Sequence, residues 1–148
     1  MIPRLPHRTT GRLTLEQVRH IFVIEDNAGD VLLIRQILQQ QQIPIRVHVA
    51  RDGAQAMFIL AEGQFQPDLI LLDLNLPVVS GNWFLARSKP KAPVVIFSSS
   101  SNPADIRESA ELGAKEFVQK PTDLEEYAER VSRIVREWLP DTEASTFL

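Results

Sequence analysis

Four short apolar runs in this 148-residue chain each stop abruptly at a side chain that can do chemistry. Ile21, Phe22, Val23 and Ile24 lead into Glu25 and Asp26, and Leu69, Ile70, Leu71 and Leu72 lead into Asp73. The run from Pro93 to Phe97 leads into Ser98, and the run 116–119 into Lys120. Carboxylates brought to one edge repel each other and raise each other's pKa values unless they share a cation. Magnesium suits such a site, because it is a hard ion that takes oxygen ligands, keeps several waters and needs only one or two carboxylates beside a phosphate. A carboxylate oxygen of Asp73 can then attack a phosphoryl group while the metal and the Lys120 ammonium neutralise charge on the transferred oxygens. Ser98 offers a hydroxyl that can hydrogen-bond the group once it arrives.

Taken singly, each residue has a plainer reading. Glu25 and Asp26 suit a solvated turn, Asp73 a helix N-cap, Ser98 one member of the polar stretch 98–101, and Lys120 a solvent-facing lysine. Order and spacing decide in favour of a site. All of them fall at successive strand ends, the place where an open parallel sheet binds its ligands. His7, His20 and His48 have neither metal-ligand nor triad spacing and receive no role.

The elements that must position these residues follow from the alternation, between His20 and Trp138, of short runs rich in Val and Ile with longer segments of helical period. Such alternation predicts an α/β fold, a doubly wound parallel sheet of five strands with helices on both faces. Strand one is 21–24, followed by a helix with Val31, Ile34, Ile37 and Leu38 on one face; strand two is 45–49, followed by a helix over 52–62. Strand three, 69–72, is apolar at every position and belongs mid-sheet. Strand four is 93–97, and Asn102 with Pro103 opens a helix that ends near Gly113. Strand five is 116–119. Thr122 and Glu125 form a capping-box pattern for a last helix with Leu124, Tyr127, Ala128, Val131, Ile134, Val135 and Trp138 inward. The stretch 73–93 is the least regular, since the two prolines in 88–93 leave room for only a short third helix.

At these residues the chain resembles the response regulator receiver domains of bacteria, over about 120 residues from His20 to Trp138. The resemblance lies in Glu25 and Asp26; in Asp73, Leu74, Asn75, Leu76 and Pro77 with Gly81 after them; in the stretch from Pro93 to Ser99; and in Lys120 and Pro121. It implies a flavodoxin-like sheet of strand order 2-1-3-4-5. It further implies that Asp73 accepts a phosphoryl group from a sensor histidine kinase, and that Asp26 and Asp73 bind Mg2+ through their side chains. Asn75 would bind the metal through its backbone carbonyl, and Glu25 directly or through water. Ser98 and Phe117 would be a switch pair, the hydroxyl moving to the phosphate and the aromatic ring turning inward, although a strand aromatic such as Phe117 is equally readable as plain core. In that family the position matching Ser100 affects the lifetime of the phosphoaspartate, and the bond before Pro121 would be a cis-proline bond aiming Lys120 inward. The stretch from Glu25 to Val31 looks especially like the small stand-alone regulators that partner bacterial phytochromes. Glu25 in place of the commoner aspartate lengthens the reach to metal.

Composition bounds the alternatives. Apolar residues make up 44% and charged residues 24%, the balance of a globular protein, and 16 Lys and Arg against 19 Asp and Glu argue against a basic nucleic-acid face. Without cysteine there is no disulfide, thiolate metal site or cysteine nucleophile. No apolar stretch approaches the roughly 18 residues of a membrane span, so the expectation is a cytoplasmic protein with no membrane or nucleic-acid partner. We expect an N-terminal extension over 1–19, with a capped turn at 14–17, then one receiver unit over 20–138 with no output domain after it. A C-terminal tail over 139–148 follows. Trp138, Leu139, Phe147 and Leu148 either cap their own domain or form an arm on a second copy, a homodimer being expected.

Two rivals remain. A phosphohydrolase of the haloacid-dehalogenase type would also use a strand-end aspartate with magnesium, but it needs a second aspartate two residues on as general acid, where this chain has Asn75. A degenerate receiver kept only as a docking surface would lack a metal ligand, the lysine or the hydroxyl. None is missing, so the expectation is a phosphoacceptor signalling protein whose only catalysis is of its own phosphorylation and slow dephosphorylation.

Overall fold

The computed structural model describes residues 18–139. The expected turn at 14–17 and the apolar end Phe147 and Leu148 lie outside the described residues. Among the described residues ten elements alternate: β1 (Arg19–Ile24), α1 (Ala28–Gln39), β2 (Ile45–Ala50), α2 (Gly53–Glu62), β3 (Leu69–Leu72), α3 (Gly81–Ser88), β4 (Val94–Ser98), α4 (Pro103–Glu111), β5 (Glu116–Gln119) and α5 (Leu124–Trp138). The strands are all parallel and lie in the order β2-β1-β3-β4-β5, the flavodoxin-like order expected. After β2 the chain crosses back over β1 to lay down β3, so the strand order reverses between β1 and β3. The carboxyl ends of those strands flank the crevice that such a reversal opens.

Strand alternation divides the core into two layers. Ile21, Val23, Leu69, Leu71, Val95 and Phe97 point to the face covered by α1 and α5, where Ile34, Ile37, Leu38, Val131, Ile134 and Val135 meet them. Phe22, Ile24, Ile70, Leu72, Val94 and Ile96 point the other way, toward Ala56 of α2 and Phe84 and Leu85 of α3. Every residue of β3 is buried, as the unbroken apolar run of a mid-sheet strand requires. Leu139 is buried with the α5 layer, and the Trp138 Nε1–H donates to Glu116 at 3.1 Å, so both cap their own domain.

Helix starts follow the side chains that can accept an orphan N–H. Asn27 caps α1, Asp52 caps α2, Ser80 caps α3, and Asn102 caps α4 with Pro103 in the first turn. The last helix differs from expectation. Its cap is Asp123, which accepts from the Glu126 N–H at 2.9 Å, rather than Thr122. A carboxylate is the stronger acceptor there, and its charge is favoured by the positive end of the helix dipole. With the start moved one residue on, Leu124 is the first helical residue and is 67% exposed, outside the inward stripe it was expected to join.

The irregular stretch after β3 is held by a close approach. The Gly81 N–H donates to the Leu74 carbonyl at 3.1 Å. A Cβ at Gly81 would lie 2.5 Å from the Asp73 carbonyl oxygen and 2.9 Å from the Leu74 Cα. Both obstacles are backbone, so Gly81→Ala should cost about 1–3 kcal/mol through overpacking and displace the segment that carries Asp73. Urea unfolding of the variant measures the first effect. Between these residues the chain turns tightly at Val78, whose φ of 67° is a sparsely populated conformation for a β-branched residue.

Candidate functional site

The carboxyl ends of β1, β3 and β5 converge on one cluster. The Asp73 N–H donates to the Ile24 carbonyl at 3.0 Å, and the Glu25 N–H to the Ala50 carbonyl at 2.9 Å. Both residues therefore extend the ladders of their strands by one position, which fixes their backbones before their side chains leave the sheet. Glu25 and Asp73 are buried and Asp26 is exposed, and the three offer carboxylate oxygens that all lie within 4.8 Å of one another. Glu25 also accepts from the Asn27 N–H at 3.1 Å, and Asp73 from the Asn75 N–H at 3.2 Å.

Lys120 reaches the same cluster from β5. Its N–H donates to the Ser98 carbonyl at 2.8 Å, and its ammonium lies 2.7 Å from Glu25 Oε1, 3.2 Å from Asp30 Oδ2 and 3.4 Å from Asp73 Oδ2. The peptide before Pro121 is trans, correcting the expected cis-proline bond, since no cis bond occurs among the described residues. The trans form is favoured by about 0.5–1 kcal/mol, and the pairing of Lys120 with Ser98 at the end of β5 already brings its side chain to Glu25.

Electrostatics follow from this crowding. Burial, aided by the charge of Asp73, pushes the Glu25 carboxyl up to about 7, against the opposing pull of Lys120 and the Asn27 N–H. Burial pulls the Lys120 ammonium down, yet its hydrogen bond to Glu25 and the charges of Asp73, Glu25 and Asp30 outweigh that and raise its pKa. One ammonium thus faces three carboxylates, with Asp26 beside them, and the cluster is short of positive charge. Oxygen donors without imidazole or thiolate suit a hard divalent ion. Glu25, Asp26 and Asp73 could hold one, and the raised Glu25 is what a cation would relieve.

The other expected residues are placed less centrally. Ser98 is fully buried at the end of β4, beside β3, where its Oγ accepts from the Ser100 N–H at 3.3 Å. Asn75 is exposed, one residue beyond the buried Leu74. Phe117 is half-buried in β5, in register with Ile96 and packed against the α2–α3 layer, away from the cluster.

Two members were not anticipated. Asp30, in the first turn of α1, joins the Lys120 ammonium, and the Tyr127 hydroxyl of α5 donates to its other carboxylate oxygen. Burial and the Asp30 hydrogen bond raise the tyrosine's pKa. Tyr127 had a readable signal, since a hydroxyl on an apolar stripe must find a partner when buried. Asp30 had only its place in the first turn of a helix at the correct edge.

Comparison with known proteins places this geometry in context. The family described as response regulator receiver domain matches residues 21–132. The response regulator Rcp1 of Synechocystis sp. is 33% identical, over 80% of this chain and 88% of that protein. A crystal structure of the phosphorylated cyanobacterial phytochrome response regulator RcpA superimposes with a TM-score of 0.78 at 37% identity, covering 82% of this chain and 94% of that one. The Mn(2+)-bound form of Rcp1 superimposes with a TM-score of 0.77 at 32% identity, covering 82% and 95%.

Proposed function

Because the chain belongs to the response regulator receiver domain family, whose members take a phosphoryl group on an aspartate, we propose that Asp73 is its phosphoacceptor and that Glu25, Asp26, Asp73 and the Asn75 carbonyl hold Mg2+. The observation that carries this is the position of Asp73, buried at a strand end between the Lys120 ammonium and two further carboxylates. One Asp73 carboxylate oxygen attacks phosphorus in line with the leaving group. The P–O bond to Asp73 forms as the bond to the donor breaks, and the donor leaves with the electron pair. Bound Mg2+ supplies charge neutralisation at the transferred oxygens. Lys120 adds an ammonium to the same oxygens, and Ser98 offers its hydroxyl once the group is in place.

The donor we propose is a sensor histidine kinase, and the description of RcpA as a phytochrome response regulator supports a bacterial phytochrome in that role. Phe117 would answer Ser98 as the second half of the switch, with Ser100 affecting the lifetime of the adduct. We assign residues 20–138 to the receiver unit. A homodimer and a cytoplasmic location belong to the same proposal, the former resting on the sequence of the tail alone. No helix among the described residues is long and apolar enough to cross a membrane. Incubation with acetyl phosphate and Mg2+ should add one phosphoryl mass to the intact protein, and chelation of the metal should prevent it. An unchanged mass would reject the acceptor assignment.

The raised pKa of Glu25 adds a pH dependence. A carboxyl whose folded pKa lies above its unfolded value contributes stability that is present below about 4.5 and is lost as pH rises through about 7. Without metal, the protein should therefore melt at lower temperature as pH rises across that window. Mg2+ binds the deprotonated site, so its increase in Tm should be larger at pH 8 than at pH 6. An equal Mg2+ increment at both values would exclude Glu25 as the titrating ligand.

A further inference from the structure

We propose that Asp30 is a positioning residue for Lys120, steadied by Tyr127, and that this pair carries the phosphorylation of Asp73 to α5. The Asp30 carboxylate is a two-sided bridge. One oxygen lies 3.2 Å from the Lys120 ammonium, and the other accepts from the Tyr127 hydroxyl. The bridge joins three elements: Asp30 stands on the first turn of α1, Lys120 follows β5, and Tyr127 is on the buried face of α5.

Several features make Asp30 more than a neighbour. Its N–H is held by the Asn27 cap at 2.9 Å, which fixes where its side chain begins. It lies outside the group of three carboxylates that close to within 4.8 Å. Glu25 and Asp73 have a cation to share in the proposed site, whereas the charge of Asp30 is left to Lys120. Tyr127 is buried, so its hydroxyl depends on Asp30 for the partner that water would otherwise supply.

The consequence rests on Asp73 being the acceptor. Phosphorylation converts the singly charged Asp73 carboxylate, whose oxygen is already 3.4 Å from the ammonium, into an acyl phosphate that carries roughly two negative charges. Lys120 is drawn toward it, and Asp30 loses its share of the cation. The acceptor of the Tyr127 hydroxyl bond has then changed position or charge balance, and that bond is a polar tie between α1 and α5. This route to α5 does not pass through Ser98 and Phe117.

The chain has one tyrosine, so a tyrosine label reports Tyr127 alone. Protein carrying 13Cζ-tyrosine is followed by NMR with Mg2+ alone and then with excess acetyl phosphate, the adduct being confirmed by intact mass. The resonance should move with the adduct in the wild type. In Asp30→Asn, which keeps the size and an acceptor oxygen but removes the charge, phosphorylation should slow by about tenfold and the movement should shrink or vanish. Asp30→Glu should recover part of both. A phosphorylated protein whose tyrosine resonance stays put overturns the proposal while leaving the acceptor intact. So does a full movement in Asp30→Asn, which would instead route the change through the edge contact of Tyr127 with Phe97 at 5.1 Å. No adduct in the wild type overturns the acceptor assignment itself, and this inference with it.

Discussion

Asp73→Asn is expected to abolish the phosphoryl adduct formed with acetyl phosphate and Mg2+. An amide oxygen is a poor nucleophile, and none of the neighbouring carboxylates can take its place. Glu25 is already committed at 2.7 Å to Lys120, and Asp26 is exposed, away from the ammonium's contacts. The substitution should cost little in folding. Asp73 is one of the charges that raise Glu25, so its removal lets the Glu25 pKa fall back toward the ordinary range. Above pH 7 the metal-free variant should therefore be the more stable protein, by on the order of 1 kcal/mol, the equivalent of one pKa unit. Intact mass and thermal melting at pH 8 check the two statements. An adduct as abundant as in the wild type would place the acceptor elsewhere.

Lys120→Met should slow phosphorylation by about 10²–10³, the usual loss when one preorganised donor is removed from developing charge. Its stability effect has the opposite sign to that of Asp73→Asn. Methionine fills much of the space but leaves Glu25 buried without its closest cation. Breaking a buried pair from one side costs about 3–5 kcal/mol when the remaining charge must stay ionised. Glu25 can instead take up a proton, which it does more readily because its pKa is already near neutrality. The loss should accordingly be small at pH 5 and approach the larger figure at pH 8. Denaturation curves at the two values decide, and a pH-independent loss would mean that Lys120 supports the fold through packing rather than charge.

The same two residues show how far a reading of the chain could go. The apolar runs of β1, β3 and β4 announce themselves by composition, and the polar residue that ends each run is local information. The alternation of strands and helices, the parallel sheet and the strand-end positions of Glu25, Asp73, Ser98 and Lys120 were therefore legible. Helix caps were legible where a proline marks the first turn, as at Asn102 before Pro103. At α5 two adjacent acceptors compete, and the cap went to Asp123 instead of Thr122. Leu124 was misplaced for the same reason.

What the sequence determined by itself is which chemistry is available at the edge of the sheet: carboxylates, a hydroxyl and an ammonium, each delivered by its own strand end. Only the tertiary structure decided how the ammonium is divided among them. The partners of Lys120 lie 95, 90 and 47 residues away, and Tyr127 lies 97 residues from Asp30. Contacts of that span depend on how helices settle on the sheet, to within a few tenths of an ångström, and no local pattern encodes them. The raised pKa of Glu25, the trans bond before Pro121 and the bridge through Asp30 all belong to this second kind of information. Burial and Coulomb energies depend on three-dimensional distance, whereas periodicity and capping depend on neighbours along the chain.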